Sequence, residues 1–258
     1  MREAWHPAGN RLISVAEYRE EFGNKPIKQA DNRPRAFCPF CPAKLGDCAG
    51  RTAESIGHFA HLKNSGYCPS KSKAAEPFLI LPPVDPDPNN SIRLRRFVRD
   101  AWYWIYWKMR DLVPCFSVEE FIELIREATR YQIWAYRHFE PWEVPYTLVV
   151  LNDFSPATGY KKQGRPQREF WYRFWYATPN GSFSELWNDP HERPLLYRGV
   201  FKVPTTLNVL PGISDSHAPP EVIRQESDYL DRTKPSLFPF IVDEVERRLP
   251  IILRLDTD

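Results

Sequence analysis

Four side chains in the first third of the chain have the types and spacing of metal ligands. Cys38 and Cys41 form a Cys-Pro-Phe-Cys motif, and His61 and Cys68 follow on a second segment. Thiolate sulfur and imidazole nitrogen are the ligands that Zn²⁺ prefers, and a structural zinc site takes four of them with no open position. The sequence therefore predicts one tetrahedral Zn²⁺ site joining two short segments, between which we expect almost no apolar core.

The clustering of cysteines carries this prediction, because a Cys-x-x-Cys motif alone also occurs in redox proteins. Four of the five cysteines lie within residues 38–68. In a secreted protein such a cluster would instead indicate disulfides. Met1 is followed by polar and charged residues rather than by an apolar signal segment, so we expect a cytoplasmic protein with metal-binding thiols.

Two nearby side chains leave the ligand set open. His58 precedes His61 by three residues, and Cys48 is a spare cysteine in the same window. Either could replace a named ligand, although we favour His61 because it is closer to Cys68 in sequence. A site closed by four protein ligands has no place for water, whereas catalytic zinc keeps one. We therefore expect a structural metal.

The residues around these ligands also match a known pattern. Ala-Gly-Asn at 8–10 and Leu-Ile-Ser at 12–14 precede Cys-Pro-Phe-Cys, which is followed by Gly-His-Phe-Ala-His at 57–61 and a final Cys-Pro. Over about residues 5–80 the chain resembles the N-terminal zinc module of the competence protein CoiA-like family. The resemblance implies a restriction-endonuclease-like nuclease domain downstream and a role in bacterial DNA metabolism or in conflict with phages and mobile elements.

The composition of the chain limits its possible size class, its nucleic-acid binding and its membrane association. With 258 residues, 42% of them hydrophobic and 14% aromatic, the chain can form one or two domains with a sizeable core. The formal net charge is only +2, so attraction to nucleic acid needs a local cationic patch. No apolar run reaches the ~18–20 residues of a membrane helix.

A proline-rich stretch divides the chain. Residues 82–90 contain four prolines and read as a stiff linker that follows a short predicted strand at 78–81. We therefore predict a zinc-binding module at 1–85 and an aromatic-rich α+β domain at 86–258.

Capping residues and apolar periodicity predict the helices and strands. Ser14 with Glu17, and Ser117 with Glu120, form two capping boxes. The predicted helices span residues 15–22, 91–111, 117–136 and 237–249. Predicted strands span residues 147–151, 169–177, 196–203 and 251–253, the last after a helix stop at Pro250. The fold class is thus α+β, with helices followed by a small antiparallel sheet.

A nuclease of the restriction type would need carboxylates at strand ends to hold Mg²⁺, followed by a lysine two residues after one of them. Asp153 follows a predicted strand and Glu169 begins the next, which makes them the candidate pair. No Asp-x-Lys or Glu-x-Lys occurs after residue 86. The two acids are explained more simply as a turn residue and a surface acid.

A cationic loop gives a stronger binding signal. Between the predicted strands at 147–151 and 169–177, residues 160–168 contain four cations and no acid: Lys161, Lys162, Arg165 and Arg168. Such a loop can bind phosphates while neighbouring aromatic rings stack on bases. The nine tryptophans and twelve tyrosines equally favour a protein partner or a homo-oligomer. We expect a zinc-stabilised cytoplasmic binding protein that contacts nucleic acid, a partner protein or both, with a divergent Mg²⁺-dependent nuclease as the alternative.

Overall fold

A computed structural model describes residues 3–9, 11–23, 32–41, 43–48, 57–63, 65, 68, 83, 85–157, 168–177, 186–187, 193–203 and 216–255. Within these residues the fold contains five α-helices and seven short strands in small antiparallel sheets, which confirms the predicted α+β class. The strand predicted at 78–81 lies outside the described residues.

The strands are β1 Glu3–Trp5, β2 Leu12–Ser14, β3 Leu45–Cys48, β4 His58–His61, β5 Trp171–Tyr176, β6 Leu196–Phe201 and β7 Glu221–Ile223. The α-helices are α1 Val15–Phe22, α2 Pro88–Leu112, α3 Val118–Arg130, α4 Val144–Leu148 and α5 Pro239–Leu253. β1 pairs with β2, β3 pairs with β4, and β5, β6 and β7 form an antiparallel meander.

The N-terminal module is built from two hairpins and α1. The predicted capping box at Ser14 is present, and α1 ends at Gly23, as the sequence predicts. Phe37 links the hairpins because it bridges both Trp5 and Lys44. Contrary to expectation, the module has its own apolar core, which includes Ile13, Val15, Tyr18, Leu45 and Phe59.

The C-terminal helices surround a larger core. The apolar stripe predicted for α2 is buried at Leu94, Val98 and Ile105. The capping box of α3 is also confirmed, and the helix buries Phe121 and Ile125 against its neighbours. α3 packs along α5, and both helices contribute to the same apolar cluster.

The start of α2 and the end of α3 differ from the prediction. α2 begins at Pro88, not at Ser91, because Asp87 accepts hydrogen bonds from the backbone N–H groups of Asn89 and Asn90 and a proline at the first helical position is already suited to the helix. The end of the predicted linker is therefore the first turn of α2. α3 ends at Arg130 instead of continuing to 136, because Gln132 adopts a left-handed conformation, with φ of 55°.

Two predicted strands are helical. Residues 147–151 form the end of α4 and a 3-10 turn, all of it buried in the larger core. An apolar run buried on every side has the same composition in either conformation. Residues 251–253 extend α5 past Pro250, because Leu249 and Leu253, one turn apart, are both buried.

The sheet of β5, β6 and β7 is covered on both faces. Phe174 and Tyr176 of β5 belong to the helical core, whereas Trp175 belongs to the core of the N-terminal module. This explains why β5 is aromatic at nearly every position rather than alternating between apolar and polar residues. Gly199 is required on β6, because a Cβ atom there would lie 2.8 Å from the ring of Phe201.

One contact joins the two segments that the sequence separates at residue 85. Phe40, between Cys38 and Cys41, has its ring centroid 5.6 Å from that of Trp175 and 5.5 Å from that of Phe201. All three side chains are at most 5% exposed. The N-terminal module and the β5–β6 sheet thus share one apolar core.

No helix in the described part of the chain is long and apolar enough to cross a membrane.

Replacing Phe40 by alanine should lower the free energy of unfolding by about 3 kcal/mol, because it leaves a cavity between the module and the sheet. The matched control is Phe238→Ala, since Phe238 is 70% exposed, and it should change stability by less than about 0.5 kcal/mol. Urea unfolding of both variants measures the difference. Equal losses would contradict the packing of Phe40 as a stabilising contact.

Candidate metal centre

The four predicted ligands lie together. Sγ of Cys38, Cys41 and Cys68 and a ring nitrogen of His61 all lie within 4.8 Å of one another. The Sγ atoms of Cys38 and Cys68 are 3.8 Å apart, and Sγ of Cys41 is 3.3 Å from Nε2 of His61. Among the described residues, this is the one group of three or more His, Cys, Asp or Glu side chains arranged to hold a metal ion.

These distances fit a tetrahedral metal. Zinc–sulfur bonds of about 2.3 Å in a tetrahedron place two sulfur atoms roughly 3.8 Å apart, which is the separation of Cys38 and Cys68. The group is also enclosed, since Cys38 and Cys68 are at most 3% exposed. The cluster can therefore hold a metal ion with four protein ligands.

Local backbone geometry positions the first two cysteines. Phe37 forms the bridges that hold the chain between the two hairpins, and Cys38 follows it directly. The backbone N–H of Phe40 donates to Sγ of Cys38 at 3.3 Å, and the N–H of Cys38 donates to the carbonyl of Ala43 at 3.0 Å. The turn thus directs both thiols to one side while its backbone N–H groups stabilise negative charge on sulfur.

The β3–β4 hairpin decides which histidine joins the cluster. His61 lies at the end of β4, where it pairs with Leu45 at the start of β3. His58 and Cys48 pair with each other at the opposite end of the same hairpin. Three residues of strand span about 10 Å, so neither of the two alternative ligands belongs to the cluster.

Within the cluster, the pKa values of the Cys38 and Cys41 thiols are both raised. The pKa of Cys38 is raised by hydrogen bonds with the thiols of Cys41 and Cys68 and then by burial. The pKa of Cys41 is raised to about 11, since its hydrogen bond with Cys38 lowers it less than the thiol of Cys68 and burial raise it. Thiols that face one another in this way hold their protons unless a cation replaces them.

Sequence analysis missed a buried carboxylate on the β3–β4 hairpin that is bound by two arginines. Asp47 of β3 is 2% exposed, with Oδ2 3.1 Å from Nε of Arg19 and Oδ1 3.0 Å from Nη2 of Arg33. Gly57, with φ of 79°, lies against this group, and a Cβ atom there would be 2.4 Å from the carbonyl of Cys48. No local pattern indicates this group, because its members are far apart in sequence.

The candidate nuclease residues are not arranged as a metal site in the described structure. Both carboxylate oxygens of Asp153 bind the guanidinium of Arg173, at 2.9 Å each. The Asp153 side chain is 5% exposed and Arg173 2% exposed, so the pair lies in the interior. Glu169 is exposed and belongs to no metal-binding group of described residues.

Of the four cations in the predicted loop, the structure describes only Arg168. It is 2% exposed, and its Nη2 lies 2.5 Å from Oε1 of Glu120. Its backbone also pairs with Ala157. Arg168 therefore anchors the base of the loop and is not available to phosphate, which corrects its predicted role. Lys161, Lys162 and Arg165 lie outside the described residues.

The purified chain should contain about one metal ion, because the cluster offers four protein ligands. Cys38→Ser should lose the metal and unfold the N-terminal third, whereas Cys48→Ser and Cys115→Ser should keep it, since both cysteines lie outside the cluster. Elemental analysis after desalting measures the content. Metal content in Cys38→Ser equal to that of the unchanged protein would contradict the assignment.

Metal content should also fall as the pH is lowered. The cation binds thiolates, whose protons return at low pH, so acid favours the metal-free, protonated cluster. Equilibrium dialysis against zinc buffers over a pH series measures this dependence. Retention that does not change with pH would mean that thiolates are not the ligands.

Comparison with protein families finds one similarity. Residues 10–75 match a family described as a domain of unknown function, DUF7830. The match includes all four cluster residues and ends before α2. No curated protein and no solved structure matches the chain. The similarity therefore supports the metal module as a unit and carries no activity with it.

Proposed function

We propose that this protein is a zinc-stabilised binding protein that contacts nucleic acid through the cationic loop at 160–168. The observation that supports the proposal most is the contact of Phe40 with Trp175 and Phe201. Through this contact the metal module packs against β5, the strand into which the loop leads. The metal then has a structural role at a distance from the bound ligand.

Zinc is the metal that the ligand set favours. Three thiolates and one imidazole suit a soft or borderline cation, and a closed tetrahedral arrangement is typical of structural zinc. Magnesium and calcium would require oxygen ligands. In this proposal the metal fixes the conformation of the turn from Cys38 to Cys41, which carries Phe40.

The described residues that flank the loop support the proposal. Ala157 and Arg168 exchange two backbone hydrogen bonds, of 3.0 and 3.1 Å, and Arg168 is held by Glu120 of α3. The loop between them keeps Lys161, Lys162 and Arg165, with no acidic residue. Three cations in so short a stretch can contact several phosphates of a nucleic acid and release their counterions.

The sequence resemblance suggests a biological setting. A CoiA-like N-terminal module would place this binding activity in the bacterial cytoplasm, in DNA metabolism or in conflict with phages and mobile elements. The Mg²⁺-dependent nuclease that the resemblance also implies would need the carboxylate of Asp153 at a cation. Arg173 holds that carboxylate in the interior, which supports binding over cleavage.

A protein partner is the second candidate, and exposed rings favour it. Phe238 and Phe240, at the start of α5, are 70% and 63% exposed, and their centroids are 5.9 Å apart. Exposed aromatic pairs are common in protein interfaces. These two residues belong to a different segment of the chain from the cationic loop, so separate variants test the two candidates.

The double variant Lys161→Glu, Arg165→Glu should weaken binding of single- or double-stranded DNA and reduce the slope of binding against salt by about two contacts. Fluorescence anisotropy over a salt series measures both. The matched control reverses two exposed cations elsewhere, Arg126→Glu with Arg247→Glu, and should leave binding nearly unchanged.

The same experiment separates the alternatives. Binding that survives the loop variant but is lost in Phe238→Ala with Phe240→Ala would favour the second surface. Incubation of the DNA with Mg²⁺ or Mn²⁺ should leave it intact. Cleavage that disappears in Asp153→Ala would overturn the proposal in favour of the nuclease.

A further inference from the structure

A cavity lies where three helix ends meet, on the C-terminal part of the fold. Its volume is about 310 Å³, and its walls come from the start of α2, the end of α3 and the residue after α5. This volume is at the lower end of the range of small-molecule sites, roughly 300–1,000 Å³. None of its described lining residues belongs to the metal cluster.

The charged side chains among the described lining residues of the cavity are all cations. They are Arg95 from α2, Arg130 from α3 and Arg254 from the end of α5. Of the described acids nearby, Asp87 caps α2, Asp85 pairs with Arg137, and Glu127 lies 3.7 Å from Arg130. Ser91 and Gln132 add a hydroxyl and an amide.

One hydrogen-bond donor of Arg95 has no acceptor among the described residues. Its Nη1 donates to the carbonyl of Leu253 at 3.2 Å, but its buried Nε has no hydrogen-bond partner among the described residues. Burial, and then the charge of Arg254, lower the pKa of Arg95. Two guanidinium groups that repel each other are stabilised by an anion that binds both.

Helix ends alone do not account for this arrangement. Arg130 and Arg254 lie at the ends of α3 and α5, where cations commonly complement the negative end of the helix dipole. Arg95 lies two turns into α2, where the dipole does not favour a cation. Its hydrogen bond to the carbonyl of Leu253 instead brings it beside Arg254.

We propose that this cavity binds a small phosphorylated molecule, whose phosphate oxygens accept hydrogen bonds from Arg95, Arg130 and Arg254. Planar guanidinium groups match the oxygen geometry of phosphate. The walls formed by Pro86, Pro88 and Ala135 leave room for a compact apolar portion of the ligand. The site is independent of the proposed nucleic-acid contact.

Inorganic phosphate, pyrophosphate and a nucleoside 5′-monophosphate are titrated separately into the full-length protein by isothermal calorimetry, at constant ionic strength. We expect saturable binding of at least one phosphate compound at one site per chain. Preference for the nucleotide over pyrophosphate would identify the base as part of the ligand. Preference for pyrophosphate would identify two adjacent phosphates.

The main variant is Arg254→Gln, because Arg254 is exposed and its loss should not prevent folding. Affinity should fall at least tenfold, and Arg95→Gln should have a similar effect. The matched control is Arg126→Gln, one turn before Arg130 on α3, and it should keep the affinity of the unchanged protein. The loop variant Lys161→Glu, Arg165→Glu should also keep it, which separates this site from the proposed function.

Three results would overturn the proposal. The first is that none of the three compounds binds at millimolar concentration. The second is that folded Arg254→Gln and Arg95→Gln bind as tightly as the unchanged protein. The third is that Arg126→Gln loses as much affinity as these two variants. Circular dichroism of each variant confirms that it is folded before the titration is interpreted.

Discussion

The ring of Phe40 is the contact on which the arrangement of the molecule depends. It lies between two cluster cysteines in sequence, and it packs on Trp175 and Phe201 of the β5–β6 sheet. The cysteine turn therefore has two faces, one directed to the metal ligands and one to the sheet. Because aromatic packing needs a fixed partner, the geometry of the metal cluster and that of the sheet are coupled.

This coupling explains where function can lie. The aromatic rings of β5 are buried between two cores, so most of them are not available to stack on bases or to bind a partner. Candidate binding groups are instead at the edges of the fold. They are the loop anchored by Arg168, the exposed rings of Phe238 and Phe240, and the cavity lined by arginines. Each uses a helix or strand end that the cores hold in place.

Local sequence patterns predicted what local physics determines. The capping boxes at Ser14 and Ser117 are satisfied within four residues, and both helices begin where the sequence predicts. The prediction of a strand at 147–151 was wrong, because burial on all sides removes the periodicity that distinguishes a strand from a helix. The prediction that the helix stops at Pro250 was wrong, because buried Leu253 stabilises the last turn more than the proline destabilises it. Both outcomes depend on distant partners.

By itself, the sequence determined the α+β class and the capped helices, and it indicated a four-ligand metal cluster, because thiols and imidazoles at this spacing have few other uses. Only the tertiary structure decided that His58 and Cys48 lie at the far end of the hairpin, that Arg168 is an internal anchor and that three arginines meet at one cavity. Strand register, burial and the meeting of helix ends depend on residues far apart in the chain. No local pattern records them, and they follow only when the chain packs.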